Sequence, residues 1–106
     1  MSMNVNFMGG ITKTIVNSKK ITTGKVLNEY ATDAGKMSEV ITYMGKKGKE
    51  IRQIFFDFEN QPNKIIKTLN GKEEIYTKEK GVVMEECEGV MRRIDDPTYW
   101  QALLKI

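Results

Sequence analysis

The dipeptide Asn70-Gly71, set between two stretches of alternating residues, restricts the fold of this chain more than any other feature. A type I′ turn needs positive φ at both central positions, and Asn followed by Gly adopts that geometry at little cost. The sequence therefore predicts a hairpin in which residues 64–69 pair with residues 72–77. Counting outward from the turn gives these facing pairs: Leu69 and Lys72, Lys67 and Glu74, Ile65 and Tyr76, and, on the other face, Ile66 and Ile75. Apolar pairs and an opposite-charge pair are what a correctly registered hairpin contains.

Four further strands are predicted, two from period-2 alternation and two from β-branched stretches. Residues 51–59 are the most aromatic segment, with Ile54, Phe56 and Phe58 on one face. Val5 and Phe7 alternate with Asn before Gly9-Gly10 and predict a short strand with a bend. The β-branched stretches 11–16 and 21–23 flank a polar tetrapeptide, which predicts a second hairpin with residues 17–20 as its loop.

Helices are predicted in three places from spacings of three and four residues. The longest spans residues 25–44, closed by Gly45, with a break allowed near Gly35. Its apolar stripe comprises Leu27, Tyr30, Ala31, Ala34, Met37, Ser38, Ile41 and Met44. Residues 82–94 also favour a helix, although Gly89 leaves a strand open. Asp96 as N-cap, followed by Pro97, predicts a short terminal helix.

Together these elements predict an α+β fold in which two to three helices pack on one face of a hairpin-rich antiparallel sheet. The chain of 106 residues is near the commonest size of one domain, so we expect residues 1–106 to form a single domain. No segment has the roughly 20 apolar residues that a membrane span requires, and no secretory leader is evident. We therefore expect a cytoplasmic protein that does not bind membranes.

The composition argues against an enzyme. The chain has no histidine to act as a base, and its one cysteine, Cys87, lies among glutamates. Asp57 and Glu59 share a strand face and offer two carboxylates to a metal, but no third ligand stands at a recognisable spacing. We expect no catalytic residue, no cofactor and no metal.

Charge is distributed unevenly along the chain. Residues 1–52 carry nine bases and four acids, a balance of +5, whereas residues 53–106 carry eight bases and ten acids, a balance of −2. This asymmetry fits either complementary faces that let copies or partners dock, or a basic surface that meets phosphates. The basic candidates for nucleic-acid contact are Lys19, Lys20, Lys25, Lys46, Lys47, Lys49 and Arg52.

The terminal segment supplies the candidates for protein contact, which are Tyr99, Trp100, Leu103 and Leu104. Aromatic anchors dominate the energetics of interfaces, although an amphipathic terminal helix also docks commonly on its own sheet. The function expected from the sequence is a small non-enzymatic binding protein, an adaptor, inhibitor or assembly factor, which binds a protein partner or itself as a homo-oligomer. The alternative is a protein that binds the nucleic-acid backbone through its Lys and Arg residues.

Overall fold

A computed structural model describes residues 3–6 and 12–106. Within them, nine β-strands precede one α-helix: β1 Met3–Asn6, β2 Thr12–Thr22, β3 Lys25–Thr32, β4 Gly35–Tyr43, β5 Lys49–Phe56, β6 Pro62–Leu69, β7 Lys72–Glu79, β8 Val82–Cys87, β9 Val90–Ile94 and α1 Pro97–Leu104. A 3-10 turn, Gly45–Lys47, lies between β4 and β5. Each strand pairs antiparallel with the next, so the sheet is a meander in chain order.

This architecture corrects the predicted fold class. The described residues form mostly antiparallel sheet with one short helix, not an α+β fold with two to three helices packed on a sheet. The predicted helix over residues 25–44 is instead the hairpin of β3 and β4. Leu27 is buried on one face of this hairpin and Tyr30 on the other. Both faces of the hairpin bury apolar residues. Apolar positions on opposite faces of a strand can be three residues apart, which is also the spacing of an apolar stripe on a helix.

The predicted helix over residues 82–94 is also wrong, because β8 and β9 form a hairpin there. Its turn is Glu88-Gly89, where both residues have positive φ (52° and 79°). Asn70-Gly71 and Lys80-Gly81 show the same pair of signs, so the chain repeats one turn geometry in three successive hairpins. The sequence feature that the three turns share is Gly at the second turn position. A Glu or Lys before that Gly is a weaker indication of a type I′ turn than Asn, because of these three residue types only Asn adopts positive φ readily.

The hairpin at Asn70-Gly71 is confirmed with all four facing pairs. The predicted strand at residues 51–59 is confirmed in part, since β5 runs from Lys49 to Phe56 and a turn follows. The helix start is confirmed as well: Asp96 accepts a hydrogen bond from the Thr98 amide at 2.9 Å and Pro97 opens the helix.

The predicted hairpin with a loop at residues 17–20 is wrong, because β2 continues through it with two register irregularities and the chain turns at Thr23-Gly24. Polar residues there belong to a strand that is exposed on both faces. The predicted strand near Val5 is confirmed as β1, whereas Phe7, the Gly9-Gly10 bend and Ile11 lie outside the described residues.

The helix α1 packs on one of the two faces of the sheet. Buried side chains on the face that α1 covers, the helix face, form a core with Trp100 and Leu103: Ile54, Ile65, Tyr76 and Val83. The other face, the open face, carries the alternate residues of the same strands, among them Ile51, Ile66 and Ile75. These three are half-buried, and the one helix among residues 12–106 packs on the opposite side.

Candidate binding surface

The four candidates for protein contact on the helix serve intramolecular packing. Trp100 is 3% exposed and Leu103 7%, while Tyr99 and Leu104 are half-buried against the same core. The Lys78 ammonium lies 5.9 Å from the centroid of the Trp100 ring and covers it from the sheet. These side chains pack against the helix face of the sheet. Contact with a partner through them stays a prediction.

A buried polar network joins the helix to the sheet. The Tyr76 hydroxyl, on a side chain with no exposed surface, lies 2.7 Å from Glu85 Oε2, 2.9 Å from Glu74 Oε1 and 3.0 Å from the Tyr99 hydroxyl. The exposed Arg92 guanidinium pairs with the other oxygen of Glu85 at 2.5 Å. The network therefore satisfies a carboxylate that is buried to 6% exposure.

The network shifts two pKa values in opposite senses. The hydrogen bond from Tyr76 lowers the pKa of Glu85 below its ordinary 4.5, and Arg92 adds to this against the opposing effect of burial. Burial raises the pKa of Tyr76, and the hydrogen bonds with Tyr99, Glu85 and Glu74 raise it further. The phenol stays protonated and the carboxylate ionised at neutral pH. This arrangement holds the proton on Tyr76 and is suited to locking α1 in place.

Arg52 is a second buried polar link between sheet and helix. Its guanidinium donates to the Leu103 carbonyl at 2.5 Å and pairs with Glu50 at 3.0 Å, and the residue is 8% exposed. The bond satisfies one of the carbonyls that the last turn of a helix leaves without a partner. Arg52 is a predicted phosphate contact, and the structure engages two of its guanidinium nitrogens, Nε and Nη1, internally.

The basic candidates separate into three places. Lys19 and Lys20 are exposed on opposite faces of β2. Lys46, Lys47 and Lys49 are exposed in and beside the 45–47 turn. Lys25 lines a groove together with Arg52. The structure thus brings Lys46, Lys47 and Lys49 together. The seven basic candidates lie in three separate places and do not form one continuous basic surface.

The two carboxylates considered as metal ligands have a different role. Asp57 Oδ1 accepts hydrogen bonds from the amides of Glu59 at 2.9 Å and Gln61 at 3.0 Å, so it shapes the turn after β5. Within residues 12–106, no cluster of three Cys, Asp or Glu has the arrangement of a metal site. Cys87 is half-buried on β8 and faces Glu74 across the hairpin.

The open face carries a continuous apolar patch. Val26 faces Ile41, and Ile41 faces Ile51, across β3, β4 and β5. Ile66 and Ile75 face each other across β6 and β7. We call these five residues the open-face patch. All five are half-buried, and Ile66 is a diagonal neighbour of Ile51 through Thr68, so the patch is unbroken across five strands.

Polar side chains bound the patch along its next row. Glu39 accepts hydrogen bonds from Asn28 at 3.1 Å, Gln53 at 3.2 Å and Tyr30 at 3.2 Å. Burial, together with the Glu39 carboxylate, raises the pKa of Tyr30 to about 12. The four side chains come from β3, β4 and β5, so this ladder ties the strands together beside the patch.

Two shallow grooves lie side by side at one end of the open face and share the turn Asn70-Gly71 as their common wall. The first, of about 410 Å³, is lined by the following side chains: Tyr43, Lys49, Ile51 and Thr68, with the 45–47 turn at its edge. The second, of about 600 Å³, carries three carboxylates and one ammonium around Ile75: Glu73, Glu86, Glu88 and Lys72. Lys72 pairs with Glu88 at 3.8 Å. The first groove therefore has Lys49 at its rim, and the second has an excess of carboxylates.

The sequence analysis did not predict the open-face patch or the two grooves beside it. The apolar residues of β3 and β4 were assigned to a helix, so their alignment with Ile51 and Ile66 was hidden. The signal that finds them is the register, because Ile41, Ile51 and Ile75 fall on the same face only when β3 to β7 are paired in order.

Comparisons with protein-family models, with curated proteins and with solved structures gave no match. Among the described residues, no helix has the length and apolar character needed to cross a membrane.

Proposed function

We propose that the protein is a non-catalytic binding protein whose contact surface is the open face, and that a second copy of the chain occupies it. The observation that carries this proposal is the open-face patch, in which half-buried aliphatic side chains run across five strands with α1 on the opposite side. Contiguous apolar surface of this kind is typical of interaction sites, because each buried Å² contributes about 25 cal/mol.

Charge complementarity supports a second copy as the partner. A two-fold dimer uses the same surface of both copies, so that each contact between two different residues occurs twice. An axis along the wall at Asn70-Gly71 brings the basic groove of one copy over the acidic groove of the other. With this axis β6 of one copy lies over β7 of the other and β5 lies over β8. Lys49 then faces the carboxylates of Glu86 and Glu88, and Ile66 meets Ile75 between the two sheets. Opposite potentials of this kind fix orientation and register.

Light scattering during size exclusion tests the proposal. The wild-type chain of 12.1 kDa is expected to show a concentration-dependent mass that approaches twice this value. Ile75→Asp places a charge in the patch next to the two-fold axis and is expected to leave a monomer. Val90→Asp is the matched control, because Val90 is 66% exposed and lies on the helix face, and it is expected to keep the dimer.

A charge exchange tests the orientation. Lys49→Glu and Glu86→Lys, two exposed positions, are each expected to weaken association, whereas the double variant restores it. A strictly monomeric wild type, at all concentrations, would refute self-association. If both single variants dimerise like the wild type, the grooves do not face each other in the dimer.

A second candidate, binding to the nucleic-acid backbone, is favoured by the three exposed lysines of the 45–47 turn region, Lys46, Lys47 and Lys49. Within the described chain, no carboxylate lies within ion-pair distance of these lysines. Affinity for a random oligonucleotide that falls steeply with added salt supports this candidate. Absence of retention at low salt contradicts it.

A further inference from the structure

A groove of about 490 Å³ on the helix face lies where the end of α1 meets the sheet. Its sheet side is formed by Lys25, Glu50, Arg52 and Lys67, and its helix side includes Leu103 and Lys105. Four cationic side chains therefore surround one carboxylate. This groove is distinct from the open face, because Arg52 and Lys67 point to the same side of the sheet as the core residues Ile54 and Ile65.

The single carboxylate is already used. Glu50 pairs with Arg52 at 3.0 Å, and the Arg52 guanidinium also donates to the Leu103 carbonyl. In the described part of the chain, no carboxylate lies within ion-pair distance of Lys25, Lys67 or Lys105. The groove thus holds three ammonium groups whose charge is not neutralised by a direct partner.

Shape increases the effect of these charges. Lys25 and Lys67 are half-buried and form part of the concave wall of the groove. Clefts lined by one sign of charge and walled by low-dielectric protein focus the field and concentrate counter-ions. An anion in the groove relieves the mutual repulsion of the three lysines beyond what Glu50, and Glu74 facing Lys67 across β6 and β7, already offset.

We propose that this groove is a binding site for a compact polyanion, specifically the di- or triphosphate group of a small molecule. Lysine acts on phosphate as a point charge, whereas planar carboxylate recognition relies on the paired donors of arginine. Arg52 has two of its three guanidinium nitrogens engaged internally, and the other three cations of the groove are lysines, so phosphate fits the donor set better. Ala102 and Leu103 line the same groove and offer an apolar surface to the rest of such a molecule.

Titration calorimetry with tripolyphosphate at low ionic strength tests this site. Lys25→Gln with Lys105→Gln removes two of the three free charges, and neither side chain belongs to the core network of Tyr76 and Glu85. The double variant is expected to bind at least about tenfold more weakly than wild type. Lys20→Gln with Lys80→Gln is the matched control, since both side chains are exposed outside the groove and the charge change is equal. This control is expected to bind within about twofold of wild type.

Several results would overturn the proposal. One is a wild-type protein that gives no binding heat and no rise in melting temperature with tripolyphosphate. Another is an equal loss of affinity in both double variants, which means attraction to the overall net charge. Equal affinity for citrate removes the preference for phosphate. Tighter binding of a single-stranded oligonucleotide through Lys25 and Lys105 reassigns the groove to nucleic acid. Circular dichroism of each variant confirms that it is folded.

Discussion

The hydroxyl of Tyr76 is the centre of the link between helix and sheet, so Tyr76→Phe is the most informative single substitution. It removes one oxygen from a fully buried side chain and with it the hydrogen bonds to Glu85, Glu74 and Tyr99. Glu85 is left ionised and 6% exposed with Arg92 alone. A hydrogen bond to a charged group contributes about 1.5–3 kcal/mol, so we expect the free energy of unfolding to fall by about 2 kcal/mol near pH 7.

The loss depends on pH in a defined direction. The pKa of Glu85 in the folded protein lies below its ordinary 4.5, so this group stabilises the fold above pH 4.5 and ceases to do so as pH falls through its folded pKa. Tyr76→Phe removes the largest cause of that lowering. The difference between variant and wild type is therefore largest at neutral pH. It contracts to about 1 kcal/mol, the value of a neutral hydrogen bond, once Glu85 is protonated in both proteins.

Urea unfolding followed by the fluorescence of Trp100, which is 3% exposed when folded, measures this difference. With an unfolding entropy of about 2.1 cal/mol/K per residue, 2 kcal/mol corresponds to a melting temperature lower by about 9 °C. Tyr43→Phe is the control, because that side chain is 53% exposed, and its effect is expected to stay within about 0.5 kcal/mol. A loss below about 0.5 kcal/mol at neutral pH, or a loss that is the same at all pH values, refutes the reasoning.

Two further substitutions test the fold. Arg52→Met leaves the Leu103 carbonyl without its donor, and we expect a loss of about 2–3 kcal/mol in urea unfolding, whereas an unchanged midpoint would show that the buried bond is dispensable. Gly35→Ala brings a Cβ into the Phe56 carbonyl at φ +138°, so it is expected to lower the melting temperature well beyond Gly45→Ala, where nothing lies within 4 Å. Equal shifts for the two glycine variants contradict this.

Local signals predicted local structure well. Asn70-Gly71 specified a hairpin and its whole register, because a two-residue turn leaves one way to pair the strands that follow. Asp96 and Pro97 specified the start of α1, because cap and first-turn residues act within a few residues of each other. The basic and acidic character of the two halves also reappears in the two grooves of the open face.

Whether residues 25–44 and 82–94 form helices or strands was decided by pairing with strands that lie elsewhere in the sequence. Leu27, Val40 and Ile41 suit either a helix or a two-sided strand, and β3 and β4 form because β2 and β5 pair with their outer edges. A strand gains its hydrogen bonds from neighbours, whereas a helix gains them within itself, so periodicity alone does not separate the two in short segments.

The sequence by itself determined the turn at Asn70-Gly71, the cap at Asp96 and the lack of histidine, since each depends on residue identity and immediate neighbours. Tertiary structure alone decided which side chains meet. The Tyr76–Glu85 link, the insertion of Arg52 under Leu103 and the alignment of Ile51 with Ile75 on one face all join separate strands or the helix. Such contacts depend on the order and register of the whole sheet, which no short window of sequence contains.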